Sequence, residues 1–383
     1  MSKFAAACLG LCLAVCFTSV RADDLDLGPE PALSSVAWSG DFLLQQDWLR
    51  SWQPGGDNES RLLARMRYGP TWQIDDQWSL AGALRIDEST VGNEYLVDYN
   101  DNERPRDFAL DALHLDYASG TGHHAELGKD ELPLTLSRML WDPDLRPAGV
   151  SYAYRGNLGD DTSLRLVAGA FLGQYLSGDQ SRFTAYQAGI RFREQESVQP
   201  EFILSYLHFT DLDRLVTTGE DRGNPVVFSA PTCSSGPGTC VICPTCVPQS
   251  AVVFADRYEL LDLQSSLHVV GTVPFRVLLD LDKNLGATNG ADRATRFETA
   301  LGNSFEAGGQ EVGYAVERMQ QSSVLGAFND DDWWFHAGSH GSMFWYAYGW
   351  SERLRLRAAY FHEQPDGSWH HWNRVLLDLQ YRL

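Results

Sequence analysis

Apolar and polar side chains alternate with period two from about residue 36 to the end of the chain, broken by clusters of Gly, Asp, Asn and Pro. Successive side chains of a strand point to opposite faces, so this spacing predicts strands with one apolar and one polar side. In residues 61–68, Leu62, Ala64, Met66 and Tyr68 oppose Arg61, Arg65 and Arg67. In residues 184–193, Tyr186, Ala188, Ile190 and Phe192 oppose Gln187, Gly189, Arg191 and Arg193. Phe275, Val277, Leu279 and Leu281 oppose Arg276, Asp280 and Asp282, and the closing strand sets Val375, Leu377, Leu379, Tyr381 and Leu383 against Arg374, Asp378, Gln380 and Arg382. Near the end of the chain Arg353, Arg355 and Arg357 take every second place, with leucines between. Helical periodicity scarcely occurs.

A soluble sandwich also alternates, but its strands are short and its apolar faces meet in one core. Here many strands run about ten residues or longer, the length a tilted strand needs to cross a bilayer. Aromatics gather toward strand ends: Trp333, Trp334 and Phe335, then Phe344, Trp345, Tyr346, Tyr348 and Trp350, then Trp369 and Trp372. An apolar band facing lipid, aromatic girdles at the interfaces and a polar lumen describe a transmembrane antiparallel β-barrel, closed so that no backbone edge meets hydrocarbon. Short connections at 68–78, 156–162 and 349–352 alternate with long ones at 88–106, 131–149, 211–252 and 320–338. Short periplasmic turns and long outer loops give this asymmetry, and counting hairpins predicts an all-β barrel of roughly 16 strands. A barrel of about that size encloses an aqueous channel.

Composition narrows the partners. The chain holds 30 basic and 51 acidic residues, a net charge of −21, which disfavours nucleic acid and anionic surfaces. Outside the first 22 residues only Lys129 and Lys283 are lysines; the other bases are arginines, the cation suited to confined, partly dry places.

The first segment reads as an export signal, residues 1–22: Lys3, an apolar run from Phe4 to Phe17, then Val20-Arg21-Ala22 before cleavage. The mature barrel domain is then 23–383. About a dozen residues separate Asp23 from the first strand, which speaks against the plug domain of an energised receptor. Four cysteines, Cys233, Cys240, Cys243 and Cys246, crowd one Pro/Gly/Thr-rich segment. An oxidising compartment favours two disulfides stiffening an outer loop over a zinc site, with the pairing among the four left open.

Residues 127–150, "LGKDELPLTLSRMLWDPDLRPAGV", and the terminal "DDWWFHAGSHGSMFWYAYGWSERLRLRAAYF" carry a resemblance. A strand ending in Gly-Lys, a Pro-containing stretch and the run Leu140, Trp141, Asp142, Asp144, Pro147 and Gly149 resemble a family of Gram-negative outer-membrane porins. The resemblance implies a trimeric or monomeric diffusion channel of the outer membrane whose solute is mostly undetermined. One departure is Leu383 at the end of the chain, where such chains carry an aromatic; Tyr381 keeps an outward aromatic two places earlier.

On this reading Arg61, Arg65, Arg67, Arg191, Arg193, Arg353, Arg355 and Arg357 line the pore. The loop bearing Asp130, Glu131, Asp142 and Asp144 folds inward to narrow it, setting carboxylates against an arginine wall. The plainer reading of Asp142 and Asp144 is a turn around Pro143. Arginines left unpaired would draw anionic solutes; arginines paired with Glu311, Glu317, Asp280 or Asp282 would leave little selectivity. His123-His124 and His370-His371 read as interfacial or loop histidines, and His114, His208, His268 and His362 lack a serine-centred partner motif, so neither a metal, a cofactor nor catalysis is expected. The expectation is a porin passing small hydrophilic solutes and surrounded by outer-membrane lipid. The alternative is a structural or adhesive barrel, its lumen blocked, that binds a partner through the cysteine-bearing loop.

Overall fold

The computed structural model describes residues 35–51, 58–90, 108–173, 181–217, 221–228 and 252–383. The expected export signal at 1–22 and Cys233, Cys240, Cys243 and Cys246 therefore lie outside the described residues.

Sixteen strands form one closed antiparallel barrel. In chain order they begin with β1 (Val36–Ser51), β2 (Asn58–Gln73), β3 (Trp78–Ser89), β4 (Ala109–Ala118), β5 (His123–Lys129) and β6 (Ala148–Asn157). There follow β7 (Thr162–Leu172), β8 (Arg182–Phe192) and β9 (Val198–Thr210). Between β9 and the next wall strand lie a one-turn helix α1 (Asp213–Thr217) and a two-stranded ribbon of β10 (Val226–Phe228) and β11 (Val252–Phe254). The wall resumes with β12 (Glu259–Val269), β13 (Phe275–Asn284), β14 (Arg293–Gly302), β15 (Gln310–Met319), β16 (Ser339–Gly349), β17 (Leu354–Pro365) and β18 (Trp372–Arg382). β18 pairs with β1 from Asp41↔Arg382 to Ser51↔Trp372, so no wall strand keeps a free edge. Among the described residues no helix is long and apolar enough to cross a membrane.

The alternation read from the sequence is the alternation of faces. On β2, Arg61, Arg65 and Arg67 are buried inside while Leu62 is exposed on the outer surface. On β13, Asp280 and Asp282 are buried inward and Leu279 and Leu281 are exposed outward. The turns 74–77, 119–122, 158–161 and 350–353 fall at one end of the barrel with the β1–β18 termini, and the long connections 130–147 and 320–338 fall at the other.

Two expectations about side chains change. Arg193 and Arg353 are not on the wall: Arg193 opens the 193–197 turn with φ +54°, and Arg353 sits exposed in the turn before β17. Period two runs on past the last backbone pair, so alternation cannot mark where a strand ends. The aromatic clusters also split. Phe344 and Tyr346 are outward and Trp350 and Trp369 are exposed in turns, whereas Trp333 and Trp345 are buried inside. Inward Gly313 makes this possible, for a Cβ there would come 2.0 Å from the Trp345 ring.

Candidate functional site

Two of the long connections, 130–147 and 320–338, turn into the barrel instead of away from it. They grip each other through reciprocal backbone bonds: Asp142 N donates to Phe328 O at 2.7 Å and Asp330 N to Arg138 O at 2.9 Å. Nearly every residue from 322 to 330 is buried, a burial that loops facing water do not reach.

An aromatic column explains why they turn in. Trp141 stacks on Phe328 at 5.4 Å with 13° between planes, and Phe183 of β8 stacks on Phe171 of β7 and Phe209 of β9 at 5.0 and 5.2 Å. Met139, Leu140, Leu145, Val324 and Leu325 complete this cluster against the wall. The inner face of β7–β9 is thus apolar near the long-loop end, against the expectation of a polar lumen throughout. The residues that would line water there line the packed loops. A second cluster joins Trp333 to Trp345, Met343, Phe361 and Leu376 on β16–β18.

Polar anchors stretch the 130–147 loop across the lumen. On one side Gln187 of β8 holds the Thr135 backbone at both ends, accepting from Thr135 N at 3.0 Å and donating to Thr135 O at 2.9 Å. Arg165 of β7 donates to Pro133 O at 2.6 Å. On the other, Arg65 and Arg67 of β2 hold Asp144, with Nη1–Oδ2 2.5 Å and Nη2–Oδ1 3.2 Å. Burial pushes the Asp144 carboxyl up, but these guanidiniums outweigh it and hold it well below the usual carboxylate range. Asp142, beside Pro143, accepts from Asp144 N at 2.7 Å, so the turn-capping reading and the inward-loop geometry coexist in the same residues.

The 320–338 loop is hooked by arginines as well. Arg138 of the other loop reaches Asp330 at 2.8 Å and Asp332 at 3.2 Å. Arg357 of β17 lies 3.0 Å from both Asp332 and Asp378. The neighbouring Asp330 and Asp332 carboxylates hold the Arg138 guanidinium more firmly protonated than usual. Burial works against Asp332 ionising, yet Arg357, Arg138 and Arg374 keep its carboxyl low. Arg138 and Asp144 are the loop charges that keep the most exposure among these pairs, at 42% and 33% of the side chain.

Of the other pore-lining candidates, Arg61 lies 3.6 Å from Asp47, Arg191 3.0 Å from Glu201 and Arg355 3.3 Å from Glu311. Asp130 faces His114 at 3.4 Å, and Glu131 takes Arg146 at 2.8 Å while staying largely exposed. Asp262, Asp280 and Asp282 stand together on the inner face of β12 and β13, where Asp262 and Asp282 are register partners, with no salt bridge to a described residue. Among the described residues one group brings three carboxylate oxygens within 4.8 Å of one another: Asp142, Asp330 and Asp331, where the two loops meet.

Sequence reading placed Arg138 among the charges of its loop but did not single out Asp47, Asp330 or Asp332, nor the partnership of Arg374 with β1. Arg374 stood on the polar side of its strand, which was a signal. The run of three aspartates at 330–332 gave no sign of facing inward, because its loop reads as solvent-exposed by composition.

No protein-family model matches the chain, and no curated protein sequence matches it. Solved structures do. OprB of Pseudomonas putida superposes with a TM-score of 0.59 at 13% identity, over 91% of this chain and 94% of that one. OmpF of Salmonella typhi, in complex with daunomycin, gives 0.54 at 10% identity over 91% and 98%. OmpT of Vibrio cholerae, lacking its loop L8, gives 0.50 at 11% identity over 91% and 99%. The class that wall and loops define is the closed sixteen-stranded antiparallel β-barrel, the fold of those outer-membrane proteins. The chain has the porin fold.

Proposed function

We propose that this chain is a porin of a Gram-negative outer membrane, through which small hydrophilic solutes diffuse passively around an eyelet formed by the inward loops. The observation that carries the reading is the 130–147 loop, strung from Gln187 and Arg165 on one wall to Arg65 and Arg67 on the other. Such a strap narrows the lumen while lining it with charge, and charged constrictions select solutes by size and sign. The barrel fold shared with the solved outer-membrane proteins supports the location.

Selectivity follows from pairing. Arg65, Arg67, Arg191, Arg355 and Arg357 each face a carboxylate, so they present dipoles rather than free cations. The preference for anions that bare arginines would impose is therefore weak, and neutral solutes pass best. Planar-bilayer recording tests both parts: discrete current steps with a reversal potential near zero in a salt gradient are expected, and strong anion preference overturns the selectivity.

A blocked barrel is the second reading, favoured by the burial of residues 322–330. Correctly folded protein that stays electrically silent, and liposomes containing it that do not swell in small sugars, would support it against the pore.

A further inference from the structure

The outer surface changes character at the long-loop end of β14–β17. Thr295, Arg318, His340 and Gln364 are register partners across those four strands. One row nearer the short turns stand Phe297, Val316, Ser342 and His362; the next holds Thr299, Tyr314, Phe344 and Tyr360. Rows on one face lie about 6.6–6.8 Å apart along the strand, so polarity gives way to aromatics within a lipid headgroup's depth. The corresponding stretch of β12 carries outward Leu261 and Leu263 instead.

A groove of about 620 Å³ runs through these rows, with Leu279, Phe297, Tyr314 and Val316 toward its apolar end and Arg318 and His340 toward its polar end. Arg318 is exposed and forms no ion pair with a described residue, while its outward neighbours on β15 are Val316 and Tyr314. His340 lies 3.3 Å from Asp366. One row nearer the long loops, on the adjoining β13 and β14, outward Lys283 and Arg293 share one carboxylate, Asp292, at 3.5 and 3.6 Å. Such clustered outward cations contrast with a chain of net charge −21. A cation on a lipid-facing wall is costly unless it reaches the headgroup level and meets an anion there.

We infer that this face binds a bilayer lipid whose phosphate headgroup carries net negative charge, from the leaflet on the long-loop side. Its phosphate sits against Arg318 and His340, and an acyl chain runs down past Phe297 and Val316. The inference rests on the chain being a membrane barrel; phosphate recognition by cations at a protein–lipid boundary supplies the rest.

The test is native mass spectrometry of the detergent-solubilised barrel titrated with phosphatidic acid or with phosphatidylcholine of the same acyl chains. Phosphatidic acid adducts are expected to exceed phosphatidylcholine adducts several-fold. R318A/H340A abolishes that excess, R318K retains most of it, and R193A, altered in a short turn, leaves it intact. If the double variant does not fold, R318A alone carries the same expectation, since its side chain is exposed. Equal binding of the two lipids, or an undiminished excess in R318A, overturns the proposal. So does a fall in oligomer mass without lipid loss, which would assign the face to a second copy of the chain. Failure of the membrane-barrel reading shows separately, as absence of the heat-dependent gel mobility of a folded barrel in the unaltered protein.

Discussion

Arg374 on the last strand grips Asp47 on the first, with Nη2–Oδ2 2.8 Å and Nε–Oδ1 3.1 Å, across the seam that closes the barrel. Its remaining amine, Nη1, donates to the carbonyls of Asp331 and Asp332 at 2.7 Å each. One guanidinium thus ties the two termini of the wall to the inward 320–338 loop, and the fork geometry that only arginine supplies is fully used. R374A leaves Asp47 buried with the longer Arg61 contact, 3.6 Å, among the described residues. Breaking a buried pair from one side costs about 3–5 kcal/mol, so the urea midpoint of unfolding from lipid vesicles should fall accordingly. R374K, keeping charge without the fork, should lose less. A loss below about 1 kcal/mol in R374A would place the pair in the class of exposed ion pairs that hardly contribute.

Asp144 bridges two wall arginines at once. D144N keeps the shape of the side chain but removes the charge facing Arg65 and Arg67. Arg65 then loses its 2.5 Å carboxylate and Arg67 one of two, with Asp111 remaining at 3.4 Å, so the excess positive charge at the narrowed part of the lumen should shift the anion-to-cation permeability ratio toward anions by on the order of a few-fold. Reversal potentials in a tenfold salt gradient read this directly. The double change of Arg65 and Arg67 to Gln should move the ratio the opposite way. If D144N leaves the potential unchanged, solutes do not pass this pair.

How much of this was legible beforehand depends on range. Strand faces were legible because lipid on one side and polar groups on the other impose a strict period of two, as Leu62 against Arg61 shows. Strand number and loop sides followed from the same pattern. The inward course of residues 322–330 was not legible, since nothing local distinguishes a loop that meets solvent from one that meets Phe183 and Phe209 on distant strands. The Arg374–Asp47 contact joins residues 327 apart in sequence, and only barrel closure brings them together. Arg353 and Arg193 were misplaced for the converse reason: a local pattern persisted where the backbone pairing had stopped.

Apolar packing, rather than charge alone, holds the loops inside. Phe328 is fully buried and touches Trp141, Phe183 and Phe209 with ring centroids 5.4, 6.3 and 5.4 Å away. F328A removes the ring that joins both loops to the wall and should cost about 3–5 kcal/mol. The loss is local to the loop cluster, so the barrel persists while the eyelet loosens. Single-channel records should show a larger and noisier conductance than the unaltered protein, with heat-dependent mobility on gels retained. A stable, unchanged conductance would mean that the loops are held by their ion pairs alone.

Acid should tighten the eyelet. Burial, reinforced by Asp331, Asp144 and Asp330, pushes the Asp142 carboxyl well above its ordinary value. Asp330 is raised as well, by burial that Arg138 only partly offsets. A carboxyl raised in the docked loops keeps its proton where an undocked loop would release it. Docking is therefore favoured below the raised value and loses up to about 1.4 kcal/mol per pH unit as pH climbs from about 4 toward it. Asp144 acts in the opposite sense, because Arg65 and Arg67 keep it ionised; its contribution is present above about pH 4 and disappears only as pH falls well below that. Between these limits Asp142 and Asp330 dominate, so conductance at constant ionic strength should fall as pH drops from neutral toward 5. D142N retains an oxygen to accept from Asp144 N at 2.7 Å yet cannot ionise, and its conductance should vary less with pH. Parallel pH profiles for D142N and the unaltered protein would show that the meeting point of the two loops does not govern the opening.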